Sequence, residues 1–435
     1  MNHFVEQIEA YILSGCTFSK ERAIGVEVET IIYNNDGDRI PVSSETKHSA
    51  VDVIMGIESI YRRMGTDITC SLEPGGQVEW ASHPALNLHE IQKEWDTVYE
   101  TIKNICRENQ LSIVDLALEP IFQPTDIILI NQLKYKLMHK RFVGVGKHGT
   151  WMMRNTASVQ VNIDLLDKQD AEECGYIADC ISPLAIMLFS NAPFIKGNSV
   201  GIENMRYRIW EDTDPTRCGH LMDHDIYGTD LLLTKYCQYV LQVPVIFTTQ
   251  DKSGEVGSFK GTIKQWLESM AFNNKLNSND IKTALHQIFT HERYKTVLEI
   301  RSTDRPPVGY ELAPVAFWQA LMEKGKIRNT LLEEVGSWSV FDRTELNLKA
   351  SILDLNQTGP NNKTIIQHLE WLVELVYDSL DERADRLNIE SERIYFEPFI
   401  ENVFSKGVFT LQVQKQFAKQ KMTLNEFIME RELYV

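Results

Sequence analysis

No stretch of the sequence approaches the roughly 18 uninterrupted apolar residues that a membrane-spanning helix needs. The closest, Pro183 to Phe189, stops at Ser190-Asn191. The N-terminus MNHFVEQIEAYILSG has no basic region ahead of a long apolar stretch and reads as an amphipathic helix from Phe4 to Leu13, so no signal peptide is expected. Seven cysteines, at positions 16, 70, 106, 174, 180, 218 and 237, are an odd number without C-x-x-C spacing. Buried thiols in a reducing compartment are the expectation. Positive charge is also scarce: 44 Lys and Arg against 61 Asp and Glu leave a net charge of −17, which repels a phosphate backbone. Neither nucleic acid nor membrane is an expected partner. Internal repeats, low-complexity segments and a G-x-x-x-x-G-K-[ST] phosphate loop are all missing.

What is present fits a folded protein of 435 residues, with 43% hydrophobic and 24% charged content. Ile24 to Tyr33 alternates and is β-branched, and the Asn34 to Asp38 turn cluster after it predicts a hairpin. Ser71 to Ser82 reads as strand, turn or bulge, strand. Leu88 to Glu108 repeats its apolar residues at helical spacing and is expected to lie against a sheet. Ser112 to Phe122, Thr156 to Leu166, Val243 to Thr249 and Lys295 to Ser302 read as strands; Asp170 to Phe189, Ile263 to Ser269 and Lys363 to Leu387 read as helices. Strands and helices do not alternate strictly. An α+β fold follows, with an antiparallel or mixed sheet and helices gathered outside it.

Two local motifs lose to their context. Gly144 to Gly149 matches G-x-G-x-x-G, but the helix-like NQLKYKLMHKRF precedes it where a dinucleotide fold needs a strand. His220, Asp223, His224 and Asp225 form a polar cluster that reads as a solvated loop, and His286 and His291 are too far out of phase to share a helix face. The carboxylates are more telling. Glu27 and Glu29 stand at i and i+2 of one strand and so share a face; Lys295, Glu299 and Arg301 do the same on another, and Ser158, Gln160, Asn162 and Asp164 form a third polar row. Glu73 and Glu79 flank Pro74-Gly75-Gly76. In an unbroken strand they would stand about 20 Å apart; the Pro-Gly-Gly interruption is what can make them neighbours. One sheet face that gathers acids from three segments points to hard cations, for which carboxylate oxygen is the expected ligand.

These motifs resemble the plant-type glutamate-cysteine ligases. The matching stretches are GVEVE (25–29), SLEPGGQVE (71–79), MMRNTASVQVN (152–162), SNAPFIKG (190–197), MRYRIWEDTDPTRCG (205–219) and RYKTVLEIRSTD (293–304), spanning about 280 residues in order. The resemblance implies a glutamine-synthetase-like, curved and mostly antiparallel sheet with helices packed outside it. It places the catalytic domain at 1–320 and a mainly helical C-terminal region at 321–435. It further implies ATP-dependent ligation of the γ-carboxylate of glutamate to the amine of cysteine through a γ-glutamyl phosphate, a step toward glutathione. By resemblance, Glu27, Glu29, Glu73, Glu79 and Glu299 hold two or three magnesium ions. Arg301 with Glu299 is catalytic, Lys295 and Arg301 bind the phosphates of ATP, and Arg154, Gln160, Asn162, Arg206 and Trp210 line the substrate pocket.

The family pattern has EHE where this chain has Glu27-Val28-Glu29, TCTVQ where it has Thr156 to Gln160, and MRGAD where it has Ile300 to Asp304. The ion and phosphate residues survive these changes, whereas the choice of amine is left open. Ligation of glutamate to a different amine and a catalytically silent homologue therefore stand as alternatives; a guanidino kinase is disfavoured by SLEPGGQ-x-E and IW-x-DTD. Without a transit peptide or a placeable redox cysteine pair, the expectation is a bacterial-type cytoplasmic enzyme, monomeric or homodimeric, acting on small molecules.

Overall fold

The structure, a computed structural model, describes residues 2–17, 21–249 and 254–431. Its centre is an antiparallel sheet built on one long strand, β1 (Ile24–Asn34). The others, in chain order, are β2 (Thr69–Leu72), β3 (Val78–Ala81), β4 (Leu111–Val114), β5 (Val159–Ile163), β6 (Glu292–Tyr294) and β7 (Leu298–Ile300). In space the order is β6-β7-β5-β1-β3-β2, with β4 pairing the distal half of β1. The α+β class read from the sequence is borne out.

Alternation along each strand gives the sheet two unlike faces. Val26, Val28, Val78, Trp80, Val159, Val161, Ile163, Leu298 and Ile300 turn toward the main hydrophobic core. That core is closed by helices. Leu88–Glu108 packs its Ile91, Trp95, Val98 and Ile102 inward, with the Trp95 ring 5.1 Å from that of Trp80. Lys168–Leu188 is capped by Asp167, which accepts from the Asp170 amide at 2.8 Å, and is buried along almost its whole length. Ala313–Leu321 lies against β5 and in turn carries Ile365–Leu387 on its outer side. Among the described residues no helix is long and apolar enough to cross a membrane.

Local departures from the expected elements have tertiary causes. The turn after β1 returns only a single bridge, Tyr33 to Arg39, because the hydrogen-bonding edges of β1 are taken by β3, β4 and β5 from remote sequence. The expected strand at 112–122 is β4 alone, after which the chain leaves the sheet. Within 243–249 the only strand is Thr248–Thr249, with a single bridge from Pro244 to Thr262 before it, since Leu232–Gln242 is a helix and Val243 caps it. At Gly144 to Gly149 a helix does follow, Gly149–Asn155, but another, Leu133–Val143, precedes.

The Pro-Gly-Gly interruption is a tight turn that folds β2 back onto β3. The Glu73 amide donates to Gln77 O at 2.9 Å, the Gly76 amide donates to Glu73 O at 2.8 Å, and Gly76 takes φ +80°. A left-handed residue there suits glycine. Gly75 has a different reason: a Cβ on it would stand 2.5 Å from the Arg154 carbonyl oxygen. Arg39 donates to Gly75 O at 3.2 Å, and its ion pair with buried Glu119 fixes the guanidinium. Gly75→Ala is therefore expected to cost about 1–3 kcal/mol through overpacking, read as a lowered Tm. Gly336→Ala, with nothing within 4 Å of the added carbon, is the control. Equal Tm values for the two variants would refute the close approach.

Candidate active site

Strand register assembles the polar face. Ser71 is paired with Glu79, Glu79 with Glu29, Glu27 with Gln160, Asn162 with Glu299, and Glu299 with Arg293. Directly paired residues share a face, so these side chains form one band across six strands. Hydrogen bonds hold the band in place. Glu29 accepts from the Ser158 amide at 2.7 Å and from Gln160 Nε2 at 3.2 Å, Glu27 accepts from Asn162 Nδ2 at 3.0 Å, and Glu79 accepts from the Ser71 hydroxyl at 2.9 Å. The hairpin turn brings Glu73 over the band. One carboxylate oxygen each of Glu29, Glu73 and Glu79 lies within 4.8 Å of the others. All three, with Glu27, line a cavity of about 230 Å³.

Three acids so close resist ionising together. Burial, then Glu79, pushes Glu29 up to about 7, against the pull of Arg206 and Arg301. Burial and the Glu29 charge raise Glu73, and burial and the Glu73 charge hold Glu79 well above the carboxylate range. Glu299 behaves oppositely. Although burial opposes it, Arg293 at 2.5 Å, Lys295 at 2.5 Å and Arg301 at 3.1 Å hold it well below that range. The cavity thus has an acidic end on β1 and the β2–β3 hairpin, and a cationic end on β6 and β7. A hard divalent cation fits the acidic end, where three convergent carboxylates feel Arg206, Arg301 and Lys134 only at longer range and without a direct ion pair.

The structure brings most of the anticipated residues together. Arg301 donates to Gln160 Oε1, and its guanidinium lies 5.7 Å from the centroid of the Trp210 ring. Arg206 lies 5.9 Å from the centroid of the same ring and is anchored at 3.3 Å to both Ser302 O and Asp304 Oδ1. Like Asn162, Arg206, Trp210 and Glu299, Arg154 is not part of the cavity lining. It donates to Ile127 O at 3.1 Å and to Pro124 O, which secures the segment leading to the helix Leu133–Val143. That helix supplies residues the sequence reading missed: Lys134, Tyr135 and Met138 line the cavity, as do His286, Phe289 and Arg293. Of these only Arg293 fell inside a recognised motif. The isolated helix gave no sign that its first turn would face the acids.

In metal-free protein the folded state keeps a proton on Glu79 above its ordinary value of 4.5, where the unfolded chain has lost it. Folding binds protons in that window, so this group's contribution to stability falls as pH rises from about 4.5 toward the raised folded value. Glu79→Gln, in EDTA, should match the parent near pH 4.5 and exceed its Tm increasingly toward pH 8. A Tm difference independent of pH would count against a repelling cluster.

Comparison with known proteins bears on this arrangement. The profile described as Glutamate-cysteine ligase family 2 matches residues 23–408. The chloroplastic glutamate–cysteine ligase of Brassica juncea is 28% identical over 396 residues, covering 87% of this chain and 75% of that protein. That of Arabidopsis thaliana is 28% identical over 395 residues, covering 87% and 74%. The glutamate–cysteine ligase of Francisella tularensis, solved in complex with AMP, superposes with a TM-score of 0.53 at 11% identity, covering 95% of this chain and 98% of that one; it attests the fold. The cytoplasmic expectation is corrected at this point. The curated plant relatives, Medicago truncatula included, are chloroplastic proteins and point to the plastid rather than the cytoplasm. With the profile spanning most of the sequence and the acidic band inside it, the chain belongs to glutamate-cysteine ligase family 2.

Proposed function

We propose that this chain is an ATP-dependent ligase that joins the γ-carboxylate of L-glutamate to the amine of L-cysteine, giving γ-glutamylcysteine, ADP and phosphate. The observation that carries the reading is the convergence of acids and cations on one sheet face. A carboxylate does not yield to an amine directly, because oxide is a poor leaving group. An oxygen of the γ-carboxylate therefore attacks the γ-phosphorus of ATP, the bond to ADP breaks, and an acyl phosphate forms. The amine nitrogen then attacks the acyl carbon, phosphate departs, and the amine loses a proton.

Both steps concentrate negative charge, and each end of the cavity answers part of it. Glu27, Glu29, Glu73 and Glu79 would hold magnesium, which when bound supplies charge neutralisation to the phosphate oxygens. Arg301, pinned between Glu299 and Gln160, presents a planar fork toward the transferring phosphoryl group. Lys295 and Arg293 stand beside it. Glu299 organises these three cations and is in our reading also a metal ligand. Arg206 takes the α-carboxylate of glutamate while Trp210, packed against both Arg206 and Arg301, fixes their spacing. Gln160 and Asn162 orient Glu29 and Glu27 from the next strand, and Arg154 acts by holding the loop beneath the pocket. The catalytic unit is 1–320, with 321–435 packed on it, working as a monomer or homodimer on small molecules.

The departures in the pocket motifs, Ala157-Ser158 above all, favour a second reading in which a different amine is joined to glutamate. Mass spectrometry of the product formed from ATP, magnesium, glutamate and a mixture of amino acids separates the two. γ-Glutamylcysteine as the dominant product is expected; another amide would select the second reading, and no glutamate-dependent ADP would leave a silent homologue. Glu73→Gln and Arg301→Lys should each lower kcat by about 10²–10³-fold with circular dichroism unchanged. Near-parental turnover in both would mean the phosphoryl site lies elsewhere.

A further inference from the structure

A second group of metal-binding side chains lies outside the carboxylate cavity. One carboxylate oxygen of Glu211 and one ring nitrogen each of His220 and His291 lie within 4.8 Å of one another. Three separate segments deliver them. Glu211 ends the helix Met205–Glu211, His220 follows Cys218–Gly219, and His291 links Phe289–Thr290 to β6. Cys218–Gly219 and Phe289–Thr290 pair in parallel, which sets the two imidazoles side by side with ring centroids 4.6 Å apart.

Two of the ring nitrogens make no hydrogen bond, although His220 Nδ1 also stands 3.8 Å from Asp179 Oδ1. The Tyr207 hydroxyl donates its one proton to Asn347 O at 3.0 Å, so at its 3.1 Å contact with His220 Nε2 it must accept. His220 is thereby held as the Nε2-protonated tautomer, and its other nitrogen, Nδ1, carries a lone pair. His220 Nδ1 and His291 Nε2 are both buried and both lack a hydrogen-bond partner. A ligating imidazole typically has its second nitrogen fixed in this way by an outer partner. His291 Nε2 stands 3.4 Å from Glu211 Oε1, close to the spacing of about 3.3 Å expected between adjacent ligands of a tetrahedral zinc ion.

A neighbouring triad shares His220, with Asp179 and Glu292. Its acids already have partners: Asp179 accepts from the Leu221 amide at 2.6 Å and pairs with Arg343, while Glu292 accepts from the Ser182 hydroxyl. Glu211, by contrast, keeps over a third of its side chain exposed, which gives an ion a route inward.

We propose that His220, His291 and Glu211 hold one transition-metal cation of the zinc class, distinct from the magnesium of the carboxylate cavity. Two imidazoles and one carboxylate are a borderline-soft set that selects zinc over magnesium and leaves one coordination position open. Its role is to tie the segment carrying Arg206 and Trp210 to the strand pair carrying Arg301, whose amide donates to His291 O at 2.8 Å.

The full chain, incubated with zinc, would be washed with excess magnesium and a weak chelator, and its metal counted by mass spectrometry. The parent is expected to retain one zinc per chain. His291→Gln and His220→Gln should lose it, and Glu73→Gln should keep it. Cobalt in place of zinc should give visible absorption in the parent and none in the histidine variants. Glu211→Gln, altered at a partly exposed position and checked by circular dichroism, should retain zinc at least about tenfold more weakly, which covers the case of a histidine variant that does not fold. No retained zinc in the parent, or parental retention in Glu211→Gln and in either folded histidine variant, overturns the proposal. The measurement contains no ligase step, so its failure would leave the proposed activity untouched.

Discussion

Carboxylates within 4.8 Å of one another, as in the Glu29, Glu73 and Glu79 cluster, repel when ionised by about 3 kcal/mol per pair at an effective dielectric of about 20. A protein of ordinary stability has only about 5–15 kcal/mol in hand. Such a cluster therefore cannot be three bare charges. Either it holds protons, as the raised values of all three acids indicate for the free protein, or it holds a cation. The rest of the site follows from that choice, because a cation held at the acids would neutralise part of a phosphate's charge and leave the remainder to Arg301, Lys295 and Arg293.

The separation of the two ends is itself structural. Glu299 sits among three cations, which hold it well below the carboxylate range despite its burial. Glu29, two strands away, has only backbone and amide donors in direct contact, Ser158 and Gln160. The same residue type on the same sheet face thus takes opposite protonation behaviour according to its neighbours. An anionic substrate laid across the band meets a cation-binding end and a guanidinium end in sequence, which is the polarity that phosphoryl transfer from ATP to a carboxylate requires.

Much of this was legible from period and spacing. The alternation in GVEVE and ASVQVN gives the face of Glu27, Glu29, Gln160 and Asn162 directly, and the helix Leu88–Glu108 has the bounds its apolar repeat predicts. The Pro-Gly-Gly break gave the nearness of Glu73 and Glu79. What could not be read was long-range partnership. The turn after β1 carries a hairpin signal, yet the neighbours of β1 come from residues as distant as 78–81, 111–114 and 159–163. Lys134 and Tyr135 belong to a helix whose own pattern contains nothing about the acids it faces. His220 and His291 looked unrelated because 71 positions separate them, and only the parallel pairing of two short strands sets them together.

Register ties stability to chemistry in this fold. Side chains alternate across the pleat, so a one-residue slip of β1 against β5 would turn Val26 and Val28 toward the cavity and bury Glu27 and Glu29 among Val159, Val161 and the helix Lys168–Leu188. Ionised acids without partners in that core would be costly enough to unfold it. The apolar face therefore holds the acids in position more firmly than any bond among them, and repulsion within the acidic cluster is tolerated because relieving it by slippage would disrupt the whole core. Substitutions on the core face of β1 accordingly act on the site at a distance, by loosening the register that aligns Glu29 with Glu79 and Glu27 with Gln160.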